Sequence, residues 1–349
     1  MLREPADRAE PFCPYFGTCG GCTLQHFGPV SYEAYKRGLV EDALAHGRVS
    51  AEVAPMIKAH GQGRRRATLH TRGKEAGYMR LRSHELLDIA ACPILVPSMQ
   101  SQAPAIARQV AALVGDSDVS VTSTATGLDI AVRTGRTVKP ARRTFLAQRL
   151  KPARLSIDGE IVVQMRPPSV PVGKATVEIP AGGFLQATER AEEVLAGLVI
   201  EGVGKAKAVA DLFCGIGVFA LRLAERARVF AADADKGAIA ALEKAARMTQ
   251  GLKPLTATAR DLFRNPLAPT ELAGYDAVVF DPPRQGADAQ SRELAGSSVR
   301  TIVAVSCEPK TFARDAAILI AGGYRLDTVT PVDQFAWSGH VEVVGVFRR

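Results

Sequence analysis

The stretch Ala208-Val209-Ala210-Asp211-Leu212-Phe213-Cys214-Gly215-Ile216-Gly217 decides the fold. Its first five residues read as a strand, and the two glycines let the backbone turn tightly and approach a ligand closely. A helix is expected over 218–226. A second strand, Arg228–Asp233, then ends on an acid 22 positions after Asp211. A carboxylate there suits the two ribose hydroxyls of an adenosine-containing cofactor. A dinucleotide turn would carry a third glycine where Ala220 stands, after Phe219. Its absence tilts the reading toward S-adenosylmethionine, which has no pyrophosphate to cradle.

Outward from this turn, helices are expected over 188–198 and 236–248. Further strands are expected over 276–280, 301–305 and 341–347. Strands alternating with helices predict an α/β fold, Rossmann-like, with a mainly parallel sheet covered on both faces. The rhythm changes at Arg166-Pro167-Pro168-Ser169-Val170-Pro171. Before it, residues 1–28 read as a loop and 31–48 as a helix with Ser31 as N-cap. Short strands are expected between 60 and 90, a helix over 93–114, and strands over 119–124, 128–133 and 161–165. The division is therefore 1–175, an α+β region, and 176–349, the α/β domain.

Charge follows the same division. Residues 1–175 hold 24 Lys and Arg against 15 Asp and Glu, whereas 176–349 hold 20 against 21. The whole excess of the +8 chain thus lies in the first region, with runs such as Arg64-Arg65-Arg66. A basic region joined to a neutral one points to one domain that grips a polyanion and another that does something else. No apolar run approaches a membrane span, and MLREPADRAE lacks the apolar core of a signal peptide. Six cysteines in 349 residues are too few for a disulfide scaffold. The expectation is a cytoplasmic protein, a monomer with no membrane contact.

Two strand ends carry further chemistry. Ala277-Val278-Val279-Phe280 leads into Asp281-Pro282-Pro283-Arg284, and Ile302-Val303-Ala304-Val305 into Ser306-Cys307-Glu308-Pro309. Ligands of open α/β sheets bind at such carboxyl ends. A short Asp fixed by prolines suits a planar base, and Cys307 becomes a nucleophile if its thiolate is stabilised. Cys214 reads as an inert thiol under the glycine turn. Near the amino terminus Cys13, Cys19 and Cys22 form C-x5-C-x2-C, and Cys92 completes a set of four. Four thiols in a reducing compartment fit zinc or a [4Fe-4S] cluster, and spacing alone does not separate the two. A radical S-adenosylmethionine enzyme would want C-x3-C-x2-C.

DLFCGIG, DPPRQG, VSCEPKTFARD and the closing Gly339-His340-Val341-Glu342 resemble, in this order, the RNA uracil-5-methyltransferases. The resemblance covers nearly all of the chain from Cys13 onward. It implies a class I S-adenosylmethionine methyltransferase domain preceded by an RNA-binding region. It implies Cys307 as the thiolate that adds to C6 of uracil and Glu342 as the base that removes the C5 proton. It implies Gln186, Phe213, Gly215, Asp233 and Asp261 as cofactor positions, with Asp281 beside the base or cofactor. It also favours the [4Fe-4S] cluster, with Cys13, Cys19, Cys22 and Cys92 as ligands, and 23S ribosomal RNA as substrate, with transfer RNA open. Arg314 and Asp315 are expected to be structural.

Three features depart from the family pattern. Val218 stands where many members carry Asn. Glu308 replaces a common Asn beside Cys307, and would raise the thiol's pKa unless it points away. Only 12 residues precede Cys13, so the OB-like domain of many members is expected to be absent. Two rivals remain: an amino- or cytosine-directed methyltransferase that uses Asp281-Pro282-Pro283 without Cys307, and a non-catalytic RNA-binding protein.

Overall fold

The computed structural model describes residues 7–349; part of the amino-terminal stretch read above, 1–6, lies outside them. An eight-stranded sheet dominates. Its strands, in chain order, are β1 (Ile57–Lys58), β2 (Ala208–Leu212), β3 (Arg228–Asp233), β4 (Leu255–Ala259), β5 (Ala277–Phe280), β6 (Thr301–Ser306), β7 (Arg325–Asp333) and β8 (Glu342–Arg348). Their spatial order is β1-β7-β8-β6-β5-β2-β3-β4. Every neighbouring pair is parallel except β7·β8 and β6·β8, so β8 alone runs in reverse. β2, β5 and β6 are buried at every residue, which is why they read as continuous apolar runs.

Helices cover both faces. Glu189–Val203 and Lys236–Met248 pack on one, around Leu195, Val199, Ile239 and Leu242. Asp288–Ala295 and Pro309–Ala321 pack on the other, around Leu294, Phe312 and Leu319. The chain leaves β2 toward β3 on one side, while β5 lies on the other, so the order reverses between β2 and β5. Ligands of open sheets bind in the crevice at such a point.

A second sheet of seven strands lies within 66–164. Helices Gln102–Val114 and Pro140–Leu150 pack on it through Ile106, Val110 and Leu146. The cores divide the chain differently from the division at 175. Helix Pro29–His46 buries Val40, Ala43 and Leu44 in the core beneath Pro309–Ala321, and β1 extends the large sheet beside β7. A sequence region follows its apolar face, and that face belongs here to the large sheet.

Local differences have local causes. The helix expected from Ser31 begins at Pro29 and carries no cap from its own first turn; Asp7 accepts from the backbone N–H groups of Val30 and Ser31 at 3.2 and 2.8 Å. The helix expected over 93–114 shrinks to Gln102–Val114 behind a short 3-10 turn. Of 218–226 only Ala220–Leu223 is α-helical, the rest being turns. The Arg64-Arg65-Arg66 run is not one exposed basic face. Arg65 is buried against Glu192 at 2.5 Å, and its Nε donates to the Gln186 carbonyl at 3.1 Å.

Candidate active site

The cavity at the β2/β5 crevice has a volume of about 560 Å3. Its wall is drawn from the carboxyl ends of β2, β3, β5 and β6 and from the start of β8. Gln186, Phe213, Gly215, Asp233, Asp281, Cys307 and Glu342 all face it. These seven come from six separate stretches of chain.

The glycine turn forms the cofactor side. Phe213, Gly215 and Gly217 have φ of 59°, 53° and 87°. A Cβ on Gly217 would meet Leu242 Cδ1 at 2.3 Å, so glycine there permits the close packing of turn and helix. Gly215 N–H donates to Asp233 Oδ2 at 2.9 Å, and Asp235 N–H to Oδ1 at 2.8 Å. Asp233 is thereby oriented at the rim with acceptor capacity left over. Phe213 stacks at a tilt on Phe263, 5.2 Å between centroids. Asp261 stands apart from the other expected positions. Its carboxylate accepts from Phe263 and Arg264 N–H at 3.0 and 3.3 Å, and Leu262 and Phe263, not Asp261, line the cavity. Asp261 shapes the turn that presents Phe263.

A chain of amides and carboxylates forms the opposite side. Gln186 Nε2 donates to Asp281 Oδ2 at 3.2 Å, and Gln334 Nε2 donates both to Gln186 Oε1 at 2.8 Å and to Glu342 Oε1 at 2.7 Å. Gln334 Oε1 in turn accepts from Ala187 N–H at 2.8 Å. Gln334 was missed in the sequence because no motif marks it. Its register position, one residue past β7, is the only signal it carries. Glu342 enters the site because β8 is reversed: its first residue lies beside the last residues of β6 and β7.

Electrostatics follow from this crowding. Burial raises the Glu342 carboxyl well above the ordinary carboxylate range, and neighbouring Asp281 adds to the shift. Burial likewise raises Asp281, while the Gln186 hydrogen bond opposes it. The Cys307 thiol is pushed up to about 11, by burial first and then by Glu342 and Asp281, while Arg284 pulls it down. Glu308 is not among those causes. Its carboxylate accepts from Lys310 N–H at 3.4 Å and caps helix Pro309–Ala321, so it points away from the thiol. Arg314 and Asp315 hold the loop after Asp281: Arg314 donates to the Gln285 carbonyl, and Asp315 accepts from Ala287 N–H at 2.7 Å. Cys214 is buried beside the glycine turn.

The amino-terminal cysteines meet elsewhere. Cys13, Cys19, Cys22 and Cys92 line one cavity of about 240 Å3 with Tyr15, Tyr78 and Arg64. Burial raises Cys22 to about 11 and raises Cys19 and Cys92, with the thiols reinforcing one another. Gly21 N–H donates to Cys19 Sγ at 3.4 Å, and the Tyr78 hydroxyl bonds Cys92. Among the described residues no three His, Cys, Asp or Glu side chains are grouped to hold a single metal ion.

The tRNA (Uracil-5-)-methyltransferase family model matches residues 149–349. A Brucella suis protein described as an uncharacterized RNA methyltransferase is 46% identical over 360 residues, covering 100% of this chain and 86% of that one. A Rhizobium meliloti protein described in the same way is 47% identical, covering 100% and 88%. The 23S rRNA (uracil(1939)-C(5))-methyltransferase of Aeromonas salmonicida is 28% identical, covering 100% and 84%. Among solved structures, the Pyrococcus abyssi tRNA (uracil-54, C5)-methyltransferase in complex with S-adenosyl-L-homocysteine superposes with a TM-score of 0.76 at 22% identity, covering 96% of this chain and 86% of that one. That likeness establishes the fold, a class I methyltransferase domain. With a model matching more than half of its length and relatives above 40% identity across all of it, the chain belongs to the tRNA (uracil-5-)-methyltransferase family.

Proposed function

We propose that this protein methylates C5 of a uridine in RNA, with S-adenosylmethionine as donor and 23S ribosomal RNA as the preferred substrate class. The observation that carries the reading is the grouping of Cys307, Glu342 and Asp281 around one cavity whose far wall is the glycine turn and Asp233. The ribosomal preference follows the Aeromonas relative, which aligns along the whole chain. No helix among the described residues is long and apolar enough to cross a membrane.

The cavity fits the donor by its chemistry. Asp233 would accept from the ribose hydroxyls, the backbone at Gly215 would let the donor approach, and Phe213 and Phe263 would offer it apolar surface. When bound, S-adenosylmethionine supplies an electrophilic methyl sulfonium. C5 of uracil is too poor a nucleophile to take that methyl unaided. The Cys307 thiol gives its proton to solvent water as its sulfur bonds to C6, and the C5=C6 π electrons move onto the C4 carbonyl oxygen. C5 is then nucleophilic and gains the methyl, and the S–CH3 bond pair stays with the donor sulfur, which leaves as a neutral thioether. Glu342 removes the C5 proton, those electrons restore C5=C6, and the sulfur leaves as thiolate. A raised pKa makes Glu342 a stronger base than an exposed carboxylate. Asp281, held by Gln186, hydrogen-bonds the uracil edge. The target base leaves its stack first, at a cost of a few kcal/mol.

The test is covalent trapping with 5-fluorouridine-substituted RNA and the donor, read on a denaturing gel and by intact mass. Fluorine at C5 blocks the last proton removal, so a methylated adduct accumulates. An adduct with a ribosomal transcript but not a transfer RNA transcript supports the reading as stated, and the converse replaces the substrate. Absence of adduct with both overturns the C5 mechanism.

The four-cysteine cavity fits a [4Fe-4S] cluster as a resident group. The four cysteines line one cavity, which brings the whole set together. The Gly21 N–H and the Tyr78 hydroxyl supply the sulfur-directed hydrogen bonds that tune such clusters. Protein purified anaerobically is expected to absorb broadly near about 400 nm and to lose that band in Cys22→Ser. A colourless protein carrying stoichiometric zinc overturns the assignment.

A further inference from the structure

Lys36 is fully buried in helix Pro29–His46, nearly 300 residues from the segment that it touches. Its ammonium donates to Asp333 Oδ1 at 2.8 Å, to the Phe335 carbonyl at 3.1 Å and to the His340 carbonyl. Asp333 Oδ2 accepts from the Tyr32 hydroxyl at 2.5 Å, and the Tyr32 oxygen accepts from Trp337 N–H at 3.0 Å. One cation therefore gathers the end of β7 and both sides of the turn that leads into β8. That turn carries Gln334, which holds Glu342, and Phe335, which lines the active-site cavity. A charge so deeply buried is costly unless geometry and partners are complete, and all three ammonium protons are used here.

We propose that Lys36 is a positioning residue for proton removal: through the 333–340 segment it sets Gln334 and hence the Glu342 carboxylate against C5 of the bound uridine. The inference rests on the covalent mechanism above. Lys36 does not line the cavity; it reaches Glu342 through Gln334 directly, and Asp281 only at one further remove through Gln186. The backbone of Trp337 is also gripped from the cysteine loop, since Thr23 and Leu24 N–H both donate to its carbonyl at 2.8 and 3.0 Å. Lys36 hydrogen-bonds both ends of the turn, at Asp333 and at His340.

The experiment uses unsubstituted RNA with the full-length protein. Slowed base removal leaves the methylated enzyme–RNA adduct standing, whereas a general loss of structure lowers adduct formation and turnover together. Lys36→Met is expected to cut turnover by about 10²-fold, as sub-ångström to ångström misplacement does, while a methylated adduct accumulates with unsubstituted RNA. Tyr32→Phe, which keeps the ring and the Lys36–Asp333 pair, guards against a Lys36 variant that fails to fold; a smaller rise in the same adduct is expected. Glu342→Gln serves as the reference. Adduct in the Glu342 variant but neither in Lys36→Met nor in Tyr32→Phe overturns the inference and leaves the mechanism intact. Adduct in none of the three overturns the mechanism itself.

Discussion

Cys307→Ala is expected to lower uridine methylation by on the order of 10⁴-fold or more and to abolish the 5-fluorouridine adduct. The size of the effect follows from the chemistry: without addition at C6, C5 has no electron density to offer the methyl sulfonium. Binding of the donor, measured by calorimetry, is expected to stay within about twofold, because the Gly215–Asp233 side of the cavity makes no hydrogen bond to Cys307. The same variant separates the rival chemistries. A methyltransferase acting on an exocyclic amine would retain activity in Cys307→Ala, and a non-catalytic RNA-binding protein would show no turnover even as wild type. Because the thiol is held near 11 in the free protein, alkylation of Cys307 by iodoacetamide is expected to rise steadily with pH through the neutral range.

Glu342→Gln carries the second large effect. Methyl transfer to C5 proceeds, but release falls by about 10²- to 10⁴-fold, so the adduct accumulates with unsubstituted RNA. Quantitative gel bands and the intact mass of the adduct check this; release at the wild-type rate would assign the base elsewhere. The substitution also changes stability, with a definite sign. The folded pKa of Glu342 lies above its ordinary value of 4.5, so the folded state holds more protons than the unfolded state above that value. Stability contributed by this group is therefore complete below about pH 4.5 and is lost as pH rises through the folded pKa. Asp281 behaves alike from its ordinary value of 3.8. Glu342→Gln is accordingly expected to melt at a higher temperature than wild type at pH 8, with the gap closing toward pH 5. In the mechanism proposed above, the base thus costs stability at the pH where it must be ionised.

Much of this site is legible from residue order because its parts sit at strand ends. An apolar run long enough to be buried on both faces, followed by a turn, places the next side chain at a sheet edge whatever the remainder of the fold does. Asp233, Asp281 and Cys307 were located in that way. The grouping of the cysteines was equally legible, since Cys13, Cys19 and Cys22 lie within ten residues and line one cavity with Cys92. Helix Pro140–Leu150 was not, because only Leu146 is buried in it and its exposed arginines mask the helical period.

What residue order determined about this protein is local: the glycine turn, the acids and cysteine that end apolar strands, and the cluster of thiols at the amino terminus. The reversal of β8, the hydrogen bonds of Gln334 and the reach of Lys36 into the 333–340 turn were decided by tertiary structure alone. The reason is physical. A strand's direction depends on its hydrogen-bonded neighbours, and a buried polar side chain is defined by partners distant in sequence, so neither leaves a periodic trace in the chain.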